Sequence, residues 1–326
     1  MMMLLLACTL ADKNEDTASS HLDDSAVEIE EIDLDNDGYP DWRSTTDIHR
    51  ADCDDSDPNI TPNVERYIPA GVFIRGENDA PFTSPQQEIY LSDYCLDVYE
   101  VRNDDFVEYL IAQLEAGWDN QTPEGLPLFD FADDDDIYPE RIERTPGSFQ
   151  SMLGYENHPV TEVWQWSAQG YCAWAGKRLP TEAQWEKGAR GEDGRSFPWG
   201  EEEPSCALVN FGTMESQCIG DTVEVGSYPE GASPYGLLDM SGNVAEFVND
   251  WFLPDYYSDS PFEDPTGPEE GFFDDGQGNQ FQAIIARSGN HATGKGDLQT
   301  FFRQPEPFDA TSNGIGFRCG RDLSWE

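Results

Sequence analysis

The stretch HPVTEVWQWSAQGYCAWAGKRLPTEAQWEKGARGEDGRSFPWG, from His158 to Gly200, carries most of the structural information in this chain. Thr181 and Gln184 form a capping box, in which two side chains satisfy free backbone N–H groups, so a helix is predicted to start there. Residues 167–175 also suit a short helix, with Trp174 on its buried face. Five of the nine tryptophans lie in this stretch. Aromatic rings at the spacing of helices and turns predict packing in the core rather than a functional site.

The chain is strongly acidic. Its 326 residues include 18 Lys and Arg against 66 Asp and Glu, a formal net charge of −48. Such a surface repels phosphate backbones and anionic lipid headgroups, which excludes nucleic acid as a partner and adsorption to a membrane. The aromatic content of 12% is high for an acidic disordered chain, so a folded domain is expected. No apolar run reaches the ~20 residues that a membrane span needs.

The amino terminus, MMMLLLACTLADKNED, contains a lipobox-like sequence that ends at Cys8. It resembles the bacterial lipoprotein signal, in which the cysteine is diacylated, so residues 1–8 are expected to direct export and a lipid anchor to the cell envelope. The alternative is an accidental match, because the basic segment of a signal peptide is missing. The acidic residues 9–32 predict a flexible linker.

A denser acidic pattern follows in residues 33–65, which are expected to bind calcium. Alternating aspartates before a glycine, followed by a backbone carbonyl, can wrap a hard cation in oxygen ligands. The segment resembles the aspartate-rich repeats of thrombospondin type 3 modules, and the alternative is a solvated acidic tail. The expected ligands are Asp33, Asp35, Asp37, Tyr39 and Asp41.

The cysteine count also favours export. With Cys8 set aside for the lipid, six cysteines remain, an even number that suits three disulfides in an oxidising compartment. No CxxC pair is present, which argues against a zinc ribbon.

Several long motifs then resemble, in order, the formylglycine-generating enzyme family, also called sulfatase-modifying factors. They are IPAGVFIRG, YCLDVYEVRNDDFVEYL, GKRLPTEAQWEKGARG, PWG, YGLLDMSGNVAEFVNDW and GIGFRCG. The resemblance covers about residues 66–322 of a domain expected over residues 66–326. It implies a compact α+β domain, related to C-type-lectin-like domains, with little regular secondary structure.

The resemblance also implies disulfides and calcium ligands. A structural disulfide of the family falls on Cys172 and Cys319. Cys206 and Cys218 are twelve residues apart and are expected to pair, which leaves Cys53 and Cys95 for each other by elimination. One family calcium loop implies Asp239, the Gly242 and Val244 carbonyls, and Glu246. A second implies Asn210 and the Phe211 carbonyl, with Asp221 chosen as the acidic ligand.

The catalytic motif departs from the family. Its oxidases hold Cu(I) on a pair of cysteines shortly after an RGGS-like motif, and soft thiolates suit that ion. Residues 287–298 contain no cysteine, so copper and formylglycine-generating activity are not expected, although Cys206 and Cys218 could still be free.

The sequence leaves two hypotheses open: a surface module that binds a peptide, glycan or protein in the family groove, or an enzyme with another centre such as non-heme iron. The groove candidates are Arg287, Asn290 and His291.

Overall fold

The computed structural model describes residues 31–54, 56–131, 140–213, 216–274 and 276–323, and these belong to one compact unit. The expected lipid site Cys8 and nearly all of the expected linker lie outside the described residues. Within them, the α-helices are α1 Asn103–Glu115, α2 Gln165–Trp174, α3 Glu182–Arg190 and α4 Tyr256–Asp259. None of the described helices has the length and apolar character that a bilayer crossing requires.

Short strands make up the rest of the regular structure. In chain order they are β1 Glu65–Ile68, β2 Gly71–Arg75, β3 Gln87–Leu91, β4 Tyr94–Asp97, β5 Ile142–Thr145, β6 Ser148–Ser151, β7 Gly212–Thr213, β8 Ser216–Gln217, β9 Ala245–Trp251, β10 Phe272–Asp274, β11 Gln280–Arg287, β12 Arg303–Pro307, β13 Ile315–Gly316 and β14 Gly320–Asp322. The predicted α+β class with little regular secondary structure is confirmed.

A five-stranded sheet forms the centre of the domain. Strand β11 pairs antiparallel with β9, β10 and β12, while β13 adds to β9 in parallel. A three-stranded sheet, β1-β4-β14, and three hairpins complete the strand pairing in the described residues. One large apolar cluster joins α1 and α2 to the central sheet, and a second joins α3 to the same sheet and to β2 and β3. The central sheet is therefore packed against apolar side chains of three helices.

The capping box at the start of α3 forms as predicted. The Thr181 hydroxyl accepts from the Gln184 backbone N–H at 3.2 Å, and the Gln184 side chain accepts from the Thr181 N–H at 3.1 Å. Every residue of α3 is buried, its charged ones included, which an amphipathic pattern does not predict. Those charged residues must find partners inside the protein.

The prediction that the tryptophans fill the core is wrong for most of the quoted stretch. Trp185 is fully buried, but Trp174 at the end of α2 is 44% exposed, and Trp164 and Trp166 stack on each other with ring centroids 5.3 Å apart while half-buried. The end of α2 turns toward solvent, so helical spacing alone could not place Trp174.

Candidate functional site

The groove expected at the 287–298 loop begins with a residue that lies in the interior. Arg287 ends β11 and is fully buried. Its guanidinium donates to the Glu182 carboxylate at 2.6 Å, the Glu186 carboxylate at 3.0 Å and the Thr300 carbonyl at 2.6 Å. The expectation that Arg287 faces an open groove is therefore wrong, because the two acids of α3 draw it inward.

Arg287 belongs to a buried ion network that joins α3 to the central sheet. Arg303 of β12 donates to both oxygens of Glu182, at 2.6 and 3.1 Å, and Arg190 donates to Glu186 at 2.9 Å. Burial alone would raise the pKa of Glu182, but Arg303 and Arg287 outweigh it and hold that pKa below its usual value. Each charged group of the network has an ion-pair partner, and the network links α3 to β11 and β12.

The other two groove candidates also make local contacts. His291 is 1% exposed, and its Nδ1 lies 3.1 Å from the Asn243 carbonyl. Burial lowers its pKa, which favours the neutral ring. The Asn290 side chain accepts from the Ala292 N–H at 2.9 Å, so it closes the turn that holds His291 in place. These contacts describe a packed loop rather than an exposed catalytic surface.

The cysteines pair as the sequence analysis expects. Disulfides join Cys53 to Cys95, Cys172 to Cys319, and Cys206 to Cys218. The alternative that Cys206 and Cys218 are free thiols is therefore wrong in this structure. Apart from Cys8, which lies outside the described residues, every cysteine of the chain is used in a disulfide.

The acids of the first expected calcium loop contact other groups of the protein. Asp239 accepts from the Gly226 N–H at 2.5 Å, whereas both oxygens of Glu246 accept from Arg318, each at 2.7 Å. Trp185 adds a third donor to Glu246 at 2.8 Å. The Arg318 guanidinium thus balances the negative charge of Glu246, the residue expected to complete this calcium site.

The Gly242 and Val244 carbonyls lie 3.5 and 3.4 Å from the Ser288 hydroxyl. They face the start of the 287–298 loop. The expected four-ligand calcium site stays a prediction.

In the second expected calcium site, the acidic ligand pairs with a guanidinium. Asp221 pairs with Arg141, accepts from the Tyr155 hydroxyl at 2.8 Å, and accepts from the Thr222 N–H at 2.7 Å. Asn210 donates to the Asp221 carbonyl at 2.8 Å, and the Phe211 carbonyl accepts from the Cys218 N–H at 3.0 Å. The choice of Asp221 as a calcium ligand is therefore not supported by its contacts.

The aspartate-rich segment fits a hard cation better. Carboxylate oxygens of Asp33, Asp35 and Asp37 lie within 4.8 Å of one another. One oxygen each of Asp35 and Asp37 is shielded from solvent and has no hydrogen-bond donor. Asp41 is engaged elsewhere, since Arg43 donates to its carboxylate at 2.5 Å. Three of the five expected ligands thus converge.

Histidines do not gather with carboxylates in the part of the chain that the structure describes. Two groups of three potential ligand side chains are found there. One is Asp33, Asp35 and Asp37; the other is Cys53, Glu65 and Cys95, in which the two cysteines form a disulfide. His158 instead lies 2.9 Å from the Thr222 hydroxyl. The two-histidine, one-carboxylate arrangement of non-heme iron sites is not formed by these residues.

Sequence reasoning missed the importance of Glu100. This residue lies in the motif YCLDVYEVRNDD and is 2% exposed. One of its oxygens accepts from Asn243 at 3.1 Å, and the other has no hydrogen-bond donor. Burial, and then repulsion from Asp239, raises the pKa of Glu100 well above its usual value. A single sequence carries no signal that this acid, among 66, is buried.

Glu100 lines a cavity of about 510 Å³. The cavity lies between the segment that joins β4 to α1, the turn around Asn157, and the loop around Glu224. Its size falls within the range of small-ligand sites in proteins. Neither the groove candidates nor the expected calcium ligands line it.

Comparison with known proteins places the chain in a family. The model of the "Sulfatase-modifying factor enzyme 1-like domain" matches residues 54–323. A formylglycine-generating enzyme from Thermomonospora curvata is 30% identical over 294 residues, which cover 78% of this chain and 92% of that protein. A protein from Chlamydia caviae named serine/threonine-protein kinase pkn1 is 34% identical over 261 residues, 79% of this chain. The match covers 38% of that chlamydial protein, so the chain spans less than half of its length.

A solved structure supports the fold. PvdO from Pseudomonas aeruginosa aligns with a TM-score of 0.59 and 23% identity, covering 79% of this chain and 94% of that one. The likeness at this identity concerns the fold alone.

Proposed function

The chain belongs to the sulfatase-modifying factor enzyme 1-like family, and from that premise we propose that it is a binding module that does not generate formylglycine. One observation carries the proposal: the soft sulfur donors that copper needs are not available. Residues 287–298 have no cysteine, and the six cysteines from Cys53 to Cys319 are used in disulfides. Since Cu(I) in proteins depends on such thiolate or thioether ligands, this chain offers no cysteine pair to hold it.

The alternative, an oxidoreductase with non-heme iron, finds less support. Such a site needs two histidines and a carboxylate around one point. Among the described residues, His158 and His291 each contact a different backbone or hydroxyl group, and neither joins a group of three ligands. The kinase activity in the name of the chlamydial relative is not proposed for this chain, because the match covers a minor part of that protein.

A peptide assay tests the proposal. The purified full chain is incubated with copper, oxygen and a cysteine-bearing sulfatase peptide, and the peptide mass is followed, with the Thermomonospora curvata enzyme as positive control. We expect no conversion of cysteine to formylglycine by this chain under conditions in which the control converts its peptide. Conversion that exceeds a heat-denatured sample would overturn the proposal.

Elemental analysis separates the two hypotheses independently. Protein purified from its native host is expected to contain calcium at most, with no iron or copper near one atom per chain. Stoichiometric iron that is lost in His291→Ala, with the fold unchanged by circular dichroism, would favour the oxidoreductase.

We also propose that the chain is exported and lipid-anchored through Cys8, and that the Asp33–Asp37 segment takes up calcium. Three disulfides support export, because such bonds persist in oxidising compartments. The converging aspartate oxygens support calcium, which prefers carboxylate ligands. Fractionation of cells that express the wild type and Cys8→Ala tests the anchor: the wild type should partition with membranes and the variant should not.

A further inference from the structure

The cavity of about 510 Å³ contains a hydroxyl group to which no described residue bonds. Tyr171 lines the cavity and is 9% exposed. Its ring packs against Phe106 and Phe317, with ring centroids 5.8 and 5.5 Å away, which fixes its position. Its hydroxyl has no hydrogen-bond partner among the described residues, yet it is not sealed from solvent. A largely buried hydroxyl without a partner is costly, and a ligand that pairs with it recovers part of that cost.

The surroundings of the Tyr171 hydroxyl place it on the cavity side of the ring. Burial raises the pKa of Tyr171 above its usual value, and nearby charges act on it as well. Three of these charged groups, Asp105, Asp97 and Arg102, line the cavity. The hydroxyl therefore faces the cavity, whereas the ring behind it belongs to the apolar core.

The cations of the cavity wall are already paired with acids. Arg102 pairs with Asp105 at 2.6 Å. Lys177 pairs with Asp97 at 2.5 Å and with Glu65 at 2.7 Å. These pairs cancel most of the charge of the wall and hold their side chains in fixed positions.

The two remaining acids of the wall do not favour a cation. Glu100 offers the cavity no acceptor, because one of its oxygens accepts from Asn243 at 3.1 Å and the other is shielded from solvent. Glu224 is exposed at the rim, where water and salt weaken its field. The wall therefore has little net charge with which to select an ion of either sign.

Two further groups of the wall suit a polar ligand without charge. The Asn157 side chain is held by Arg102, which donates to its oxygen at 3.1 Å and leaves its amide N–H groups as donors. The half-buried ring of Tyr99 lies against Gly226, where an added Cβ would come within 2.6 Å of the ring. Both residues line the cavity together with Tyr171.

We propose that this cavity binds a short neutral saccharide, whose hydroxyl groups pair with Tyr171 and Asn157 and whose C–H face lies on the ring of Tyr99. This inference rests on the binding function proposed above and names its ligand class. A sugar hydroxyl donates and accepts at once, as the tyrosine hydroxyl does, so the two groups satisfy each other in either direction. The apolar face of an aromatic ring covers the C–H groups of a sugar, and the volume is in the range of small-ligand sites.

An extended peptide fits this cavity less well. Peptides that add to a sheet need a strand edge with free backbone groups. In the wall segment 97–102, the N–H groups of Val98 and Val101 already donate to the carbonyls of Val64 and Phe317, each at 2.9 Å. The side chains are therefore what the wall offers to a ligand.

Ligand-observed saturation-transfer NMR on the full chain tests the proposal. The neutral probes are the methyl glycosides of glucose, galactose, mannose and N-acetylglucosamine, each titrated to millimolar concentration. Glucosamine and glucuronate are the charged counterparts, and acetyl-Ala-Ala-Ala amide represents a peptide. We expect at least one neutral glycoside to bind, and to bind more tightly than the charged sugars and the peptide.

Three variants locate the binding in this cavity. Tyr171→Phe should weaken binding of the neutral glycoside by about two- to tenfold, which is the range for one hydrogen bond. Its urea midpoint should not fall, because the hydroxyl has no partner in the free protein; a merely structural role would lower it. Tyr109→Phe is the matched control, since Tyr109 is 4% exposed and packs 5.8 Å from Tyr171 but does not line the cavity. Tyr99→Leu, which removes the ring at the rim, should also weaken binding.

Failure of all four neutral glycosides to bind would overturn the proposal, as would wild-type affinity in both Tyr171→Phe and Tyr99→Leu. Tighter binding of glucosamine, glucuronate or the peptide, sensitive to Tyr171→Phe, would also overturn it, because the cavity would then select another class of ligand. None of these results bears on formylglycine formation, which the peptide assay measures separately.

Discussion

The Asp250 carboxyl should make the protein less stable as the pH rises. It lies in β9, is 3% exposed, and accepts from the Glu182 backbone N–H at 2.8 Å. Burial and the charge of Glu182 raise its pKa from 3.8 to about 7, although the Glu182 amide, Arg303 and Arg75 act in the opposite direction. The folded protein therefore holds a proton that the unfolded chain releases at lower pH.

The size of the effect follows from that shift. Below about pH 4 both states carry the proton, so Asp250 has no effect on the free energy of unfolding. Between about pH 4 and 7 only the unfolded state ionises, and stability falls by about 1.4 kcal/mol per pH unit. Above about pH 7 both states are ionised, and the loss levels off at roughly 4 kcal/mol.

Asp250→Asn should remove this dependence. Asparagine has the same shape and still offers an oxygen to the Glu182 N–H, so the fold should persist. Urea denaturation with the disulfides intact, at each pH from 4 to 8, gives the free energy of unfolding of both proteins. The difference between variant and wild type should move in favour of the variant by about 3–4 kcal/mol over this range. Asp259→Asn, which removes an exposed acid of α4, serves as the control.

A constant difference between Asp250→Asn and the wild type from pH 4 to 8 would refute the reasoning, since it would mean that Asp250 ionises alike in both states. A difference that moved toward the wild type would show that the arginines dominate over burial. Either result would require a different account of how α3 and β9 pack together.

Three further outcomes are expected. Arg287→Met should lower the free energy of unfolding by about 3–5 kcal/mol, measured by urea denaturation, because it leaves buried carboxylates without a partner; a change below 1 kcal/mol would contradict the buried network. Millimolar calcium should slow proteolysis within residues 31–65, and Asp35→Asn should weaken that protection; equal cleavage with calcium and with chelator would remove the calcium site. Replacing both Cys172 and Cys319 with serine should lower the free energy of unfolding by about 4–5 kcal/mol, as the chain-entropy model gives for a loop of this length. The same urea denaturation measures it, and an unchanged midpoint would show that packing alone holds these segments together.

The buried charges explain why so acidic a chain can fold. Two arginines of the interior are matched to acids that are distant in sequence: Arg303 to Glu182, and Arg318 to Glu246. At the 239–246 loop, the Arg318 guanidinium balances the charge of Glu246. Many of the remaining Asp and Glu side chains lie at the surface, where water solvates their charge.

The sequence by itself determined the features that depend on neighbours along the chain or on long ordered motifs. The capping box of α3 needs two residues three positions apart, and the family follows from motifs spread over residues 66–322, so both could be predicted. The absence of cysteine from residues 287–298 is likewise visible without coordinates. These are the observations on which the function rests.

Only the tertiary structure decided which charged groups meet. Arg287 and Glu182 are 105 residues apart, and Glu246 and Arg318 are 72 apart, so nothing local distinguishes them from groove or calcium ligands. Whether a carboxylate accepts a guanidinium, a metal ion or nothing depends on which strands and helices the fold brings beside it. That choice is set by packing across the central sheet, where burial makes every unmatched charge costly.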